Sequence, residues 1–143
     1  MNVPFDLFYS SLTEKKVYFF SSSSTIGIGN HRHVCITKTN DDTFFVCTTS
    51  QEKTMNRLIE IQGLPSSTIV HVPKSESYLT QDTFINCNEV FVVSKTELKK
   101  EYECGNINFK GEMKDVYYSQ ILNGVHESIL VDEEIKDIVP KEL

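Results

Sequence analysis

The 143-residue chain has no tryptophan, four prolines and six glycines. So little Pro and Gly, with 24% charged residues, excludes long disorder and a fibrous repeat. Long apolar runs are missing too. No stretch approaches the roughly 18 apolar residues of a membrane span. At the N-terminus Asp6 and the Ser10-Ser11 pair interrupt any signal-peptide pattern, so the expected location is cytoplasmic. The four cysteines, 35, 47, 87 and 104, never fall in the paired spacing of zinc or redox sites. Cys35, Cys47 and Cys87 lie inside apolar runs and read as buried thiols. A positive balance is also lacking: the net charge is −6. Residues 1–71 hold six basic and six acidic side chains, and residues 72–143 hold eight basic against fourteen acidic. A nucleic-acid binder working through a broad basic face is thereby disfavoured, whereas a small local phosphate site is not.

The length and a 39% apolar content suit one domain over residues 1–143 with a core of its own. Runs rich in β-branched and aromatic residues predict strands at 16–20, 32–37, 43–49, 57–62, 68–72 and 83–93, with a last short one at 107–109. Thr39-Asn40-Asp41-Asp42 marks a hairpin between the second and third. After Gly111 the periodicity changes. Met113, Val116, Tyr117, Ile121, Val125 and Ile129 recur at three- and four-residue steps, which predicts an amphipathic helix that ends or bends at Gly124. Asp132 is the expected cap of a final short helix that buries Ile135, Ile138 and Val139, and another short helix is expected at 97–102. The fold class expected is α+β, mainly β: a small curved antiparallel sheet or SH3-like barrel with a C-terminal amphipathic helix. The four serines at 21–24, with Thr25 and Gly27-Ile28-Gly29 after them, read as a mobile loop over about 21–30.

Polar residues at strand ends carry the chemical interest. His31-Arg32-His33 opens the second strand, and alternation sends Arg32 to one face and both histidines to the other. Either these are a surface charge and edge histidines, or they form a site in which Arg offers a planar fork to phosphate oxygens and His transfers protons. The third strand ends in Cys47-Thr48-Thr49-Ser50-Gln51. Ordinary turn chemistry explains three hydroxyls and an amide there, but the hairpin makes residues 32 and 48 neighbours. An Arg and a Thr converging at a sheet end make a cradle for a phosphodiester. Other chemistries fit less well. Gly27-Ile28-Gly29 is too short for a dinucleotide fingerprint, no Gly-x-Ser-x-Gly elbow exists, and His31 and His33 would need a partner such as His71 to hold a metal.

In order and spacing these motifs resemble the PemK/MazF/Kid family of bacterial toxin endoribonucleases over about residues 15–130. A first strand like 16–20 and a long loop lead into Gly29-Asn30-His31-Arg32-His33-Val34-Cys35-Ile36. The hairpin partner ends in Val46-Cys47-Thr48-Thr49-Ser50, and a later apolar strand runs from Thr83 through Asn88-Glu89 to Ser94-Lys95. Gly105-Asn106-Ile107 and the helical region 112–129 complete the match. Three positions depart from the family pattern: His33 stands for its proline, Phe91 for a basic residue, and Asn88-Glu89 for an acidic or Asp-Gln pair.

The resemblance implies a metal-independent, cofactor-free toxin of a toxin-antitoxin system that cuts mRNA. The ribose 2′-hydroxyl would attack, giving a 2′,3′-cyclic phosphate and a 5′-hydroxyl. Arg32 would stabilise the transition state or act as acid, Thr48 would hold a nonbridging oxygen, and His31 or His33 would take the proton. Ser24, Asn30, Thr49, Ser50, Asn88 and Glu89 would contact RNA. The implied partners are single-stranded RNA, a cognate antitoxin of protein or RNA, and a second copy of the chain. A non-enzymatic, protein-binding growth inhibitor on the same fold is the alternative.

Overall fold

The computed structural model describes residues 3–20, 31–75 and 81–141. Six strands, β1 (Lys16–Phe20), β2 (His31–Lys38), β3 (Asp42–Thr49), β4 (Ile69–Val72), β5 (Thr83–Ser94) and β6 (Ile107–Glu112), form one sheet in the order β4-β5-β3-β2-β1-β6. Every neighbouring pair is antiparallel. The sheet curves without closing, so the open alternative of the expected fold class is the one adopted. The β2–β3 hairpin turns where expected, and the Asp42 amide donates to Thr39 Oγ1 at 3.1 Å to tighten it.

Alternation along the strands builds a core on each face. One face carries Val17, Val34, Ile36, Phe44, Val46 and Ile85 and is covered by α4 (Asp115–Glu127). The other carries Tyr18, Cys35, Phe45 and Val93 under α1 (Phe5–Ser11) and α3 (Lys95–Glu103). The sequence pattern predicts no helix at α1. Its aromatics anchor it, with Phe8 stacked on Tyr102 of α3 at 4.3 Å between centroids. No helix among the described residues is long and apolar enough to cross a membrane.

Four expectations are corrected. Residues 57–62 are not a strand but the second half of α2 (Glu52–Gln62), which ends at Gly63 in the left-handed conformation (φ 64°, ψ 33°). The run of Leu58, Ile59 and Ile61 suggests a strand, but Met55 one turn earlier sets a helical repeat and is the residue α2 buries. α4 continues through Gly124 to Glu127. A Cβ on Gly124 would lie 2.8 Å from the Ser67 carbonyl oxygen and 2.9 Å from Cys87 Sγ, so glycine is there for close packing. The buried stripe of α4 is Tyr118, Ile121, Leu122 and Val125, while Val116 and Ile129 face solvent. In α5 (Glu133–Ile138), Ile138 is exposed, and Val139 just beyond it is buried.

Candidate active site

Arg32 enters the structure through two strand registers. On β1 it faces Phe19, and on β3 the last β2 pair, His33↔Cys47, brings the next residues, Arg32 and Thr48, opposite one another. Arg32, Thr48, His31, Thr49 and Ser50 all line one polar cleft of about 210 Å³ at this end of the sheet. The hairpin thus joins the two polar strand ends as expected, but His31, expected with His33 on the face opposite Arg32, lines the cleft of Arg32 at the first position of β2. Gln51, Phe19, Gln81 and Thr83 complete the walls. Phe19, Gln81 and Thr83 are not among the expected site residues. Phe19 had a signal, its alternation with the core residue Val17 on the strand beside Arg32. Gln81 and Thr83 arrive through the long-range pairing of β3 with β5, which no local motif reveals.

The polar geometry is specific. Arg32 is half-buried, and its Nε, itself shielded from solvent, has no hydrogen-bond partner among the described residues. A shielded cationic donor without a partner is costly unless an acceptor joins it, which makes the cleft suited to an anion. His31 Nδ1 lies 3.0 Å from the Thr48 carbonyl oxygen. A carbonyl only accepts, so Nδ1 carries a proton, and in the neutral ring Nε2 keeps its lone pair as a base. The same carbonyl accepts from Cys47 Sγ at 3.5 Å. Burial pushes the Cys47 thiol up to about 12, so it is not a nucleophile at neutral pH.

Other expected site residues lie elsewhere. His33 points to the opposite face, fully buried between the rings of Phe45 and Phe91 at 6.1 and 6.0 Å between centroids. Burial lowers its pKa to about 4 and keeps it neutral at pH 7. It is not brought into the cleft with Arg32. Asn88 is no surface contact either. It is buried, donates from Nδ2 to Thr68 Oγ1 at 2.9 Å, and accepts at Oδ1 from Ser128 Oγ at 2.6 Å. These bonds tie β5 to the 3-10 turn at 66–68 and to the end of α4, a structural task. Glu89 is exposed, beside a small cavity lined by Met55 and Phe91. Both fall where the β3–β5 register shifts, between Phe45↔Phe91 and Cys47↔Asn86. Ser24, Asn30 and the loop expected at 21–30 lie outside the described residues.

A larger depression of about 540 Å³ lies between α1, the β2–β3 turn and α3. Its charges are mixed, Asp6, Asp41 and Asp42 against Lys95 and Lys99, and its Ser94 hydroxyl is engaged in capping α3 through the Glu97 amide. It has no group suited to proton transfer comparable to His31. Among the described residues, no three His, Cys, Asp or Glu side chains converge as metal ligands. No protein-family model matches this chain, and comparison with curated proteins finds no match.

Proposed function

We propose that the chain is an endoribonuclease toxin of the PemK/MazF type, cutting single-stranded RNA by attack of the ribose 2′-hydroxyl on the adjoining phosphate. The observation that carries this reading is the meeting of Arg32, Thr48 and His31 along one polar cleft, with the Arg32 Nε unpaired among the described residues. In the reaction, His31 Nε2 takes the proton of the 2′-hydroxyl, the 2′-oxygen bonds to phosphorus, and the bond to the 5′-oxygen breaks. Arg32 balances the charge gathering on the nonbridging oxygens, with the Thr48 hydroxyl donating to one of them. A proton from solvent neutralises the leaving 5′-oxygen. The products are a 2′,3′-cyclic phosphate and a 5′-hydroxyl. Following the same resemblance, the partner that silences the cleft is a cognate antitoxin of protein or RNA, and the working unit is a homodimer.

Incubating the purified protein with a mixed RNA, with and without EDTA, and mapping the new termini tests this directly. Cleavage to cyclic-phosphate ends is expected in both conditions. Arg32→Ala is expected to slow the reaction by about 10²- to 10³-fold and His31→Ala by about 10²-fold, with both variants folded. Full activity in both would sink the reading. Growth inhibition without any RNA product would instead favour the protein-binding alternative.

A further inference from the structure

The cleft does not end at Arg32. Phe19, half-buried and opposite Arg32 across the β1–β2 ladder, forms its wall toward the sheet edge, where β6 pairs with β1. The β1–β6 register slips between Val17↔Gly111 and Tyr18↔Phe109, so Lys110 is an extra, unpaired residue. Such a bulge re-aims a side chain, and Gly111 supplies the backbone freedom with φ 152°. The Lys110 ammonium comes to 5.8 Å from the centroid of the Phe19 ring. Its side chain is exposed, and no carboxylate pairs with it among the described residues. From β3 to β1 the sheet end therefore presents the Thr48 hydroxyl, the Arg32 guanidinium and the Phe19 ring, and the Lys110 ammonium reaches that ring from two residues beyond Asn108, the β6 residue opposite Phe19. Alternating cations and rings match the alternation of phosphates and bases along a single strand.

We propose that Phe19 and Lys110 form the subsite for the nucleotide next to the scissile phosphate. The base stacks on the Phe19 ring, and the following phosphate meets Lys110, so that the RNA crosses the sheet end from β3 toward β6. This rests on the proposed function and adds to it a direction and a second phosphate contact. The ammonium now on the ring exchanges that contact for the incoming phosphate. A lysine on an edge strand also discourages edge-to-edge pairing, and that role alone predicts self-association in its absence with no effect on RNA.

The test uses the full chain and a short single-stranded RNA made uncleavable by a 2′-deoxy sugar at the scissile position. A 2-aminopurine is placed in turn on each side of that position. Each single-strand phosphate contact contributes about −0.7 to the slope of log affinity against log salt. Lys110→Gln is expected to reduce the slope by about that amount and to weaken binding about threefold or more at low salt, with Lys110→Arg restoring both. At one of the two positions, 2-aminopurine emission is expected to be quenched by the wild type and not by Phe19→Leu. Unchanged affinity, slope and quenching in Lys110→Gln and Phe19→Leu, while Arg32→Ala still slows cleavage of the all-ribose RNA, would overturn the subsite and leave the proposed function intact. Unaltered cleavage of the all-ribose RNA in both Arg32→Ala and His31→Ala would overturn both. Lys110 is exposed, so Lys110→Gln is expected to fold, and its unchanged melting would confirm that the slope reports contact.

Discussion

Single residues in this chain are defined by which face of the sheet they occupy. His31, Arg32 and His33 are consecutive and chemically alike in sequence, yet Arg32 enters the cleft while His33 is enclosed by Phe45 and Phe91. Burial depresses the His33 pKa from 6.5 to about 4. The unfolded chain takes up that proton near pH 6.5 and the folded chain only near 4. Between these values the unfolded state holds more protons, so stability falls as the pH is lowered through the window. The contribution lost between pH 7 and pH 5 is on the order of 2 kcal/mol. Urea unfolding at the two pH values is expected to show that much less acid sensitivity in His33→Leu than in the wild type. Equal sensitivity would mean that His33 is charged in the folded protein. Alternation separated Arg32 from His33 in the sequence pattern, but the depth of each side chain depends on what packs above it.

Among elements, Gly124 within α4 shows why local propensity misleads. Gly124 lowers the helical tendency of α4, and Gly→Ala at an ordinary helix position stabilises by up to about 1 kcal/mol. Here the added methyl would meet the backbone carbonyl of Ser67 at 2.8 Å and Cys87 at 2.9 Å. Gly124→Ala is therefore expected to destabilise by about 1–3 kcal/mol, measured by denaturant midpoint at an unchanged slope. A gain in stability would show that the 3-10 turn at 66–68 yields easily. Two of the four corrected expectations, a strand at 57–62 and a break at Gly124, share a cause. In both, contacts distant in sequence take part: α2 packs against β5, and α4 packs against β5 and the 3-10 turn at 66–68. Strands β1 to β3 and the hairpin were readable because their pairing is local and their patterns alternate. The bulge at Lys110 was not, since a register slip depends on both strands at once.

For the molecule as a whole, the acidic excess is a matter of placement. The acids Glu133 and Glu134 lie in the first turn of α5, and Glu133 lies beside Lys136 at 3.7 Å, in a depression shared with His126. Neither lines the cleft of Arg32. A net charge of −6 is thus compatible with a cleft whose charged walls are cationic. Doubly substituted Glu133→Gln, Glu134→Gln protein is expected to bind single-stranded RNA within about twofold of wild type at physiological salt, because neither carboxylate lines the cleft and salt screens exposed charges. A tenfold gain measured by fluorescence anisotropy would place those carboxylates on the RNA path.

The class of fold, the hairpin and the closeness of Arg32 to Thr48 are legible in the residues alone, because alternation and turn chemistry act over a few residues. So are the buried thiols at 35, 47 and 87, since each sits in an apolar run. Tertiary structure alone decided that the sheet stays open, that Asn88 is bonded inside the molecule, and that His31 rather than His33 shares the cleft with Arg32. It alone brought Phe19, Gln81 and Thr83 to the same walls. Those outcomes depend on the register between strands far apart in the chain and on what covers each face, and neither is encoded in any short stretch of residues.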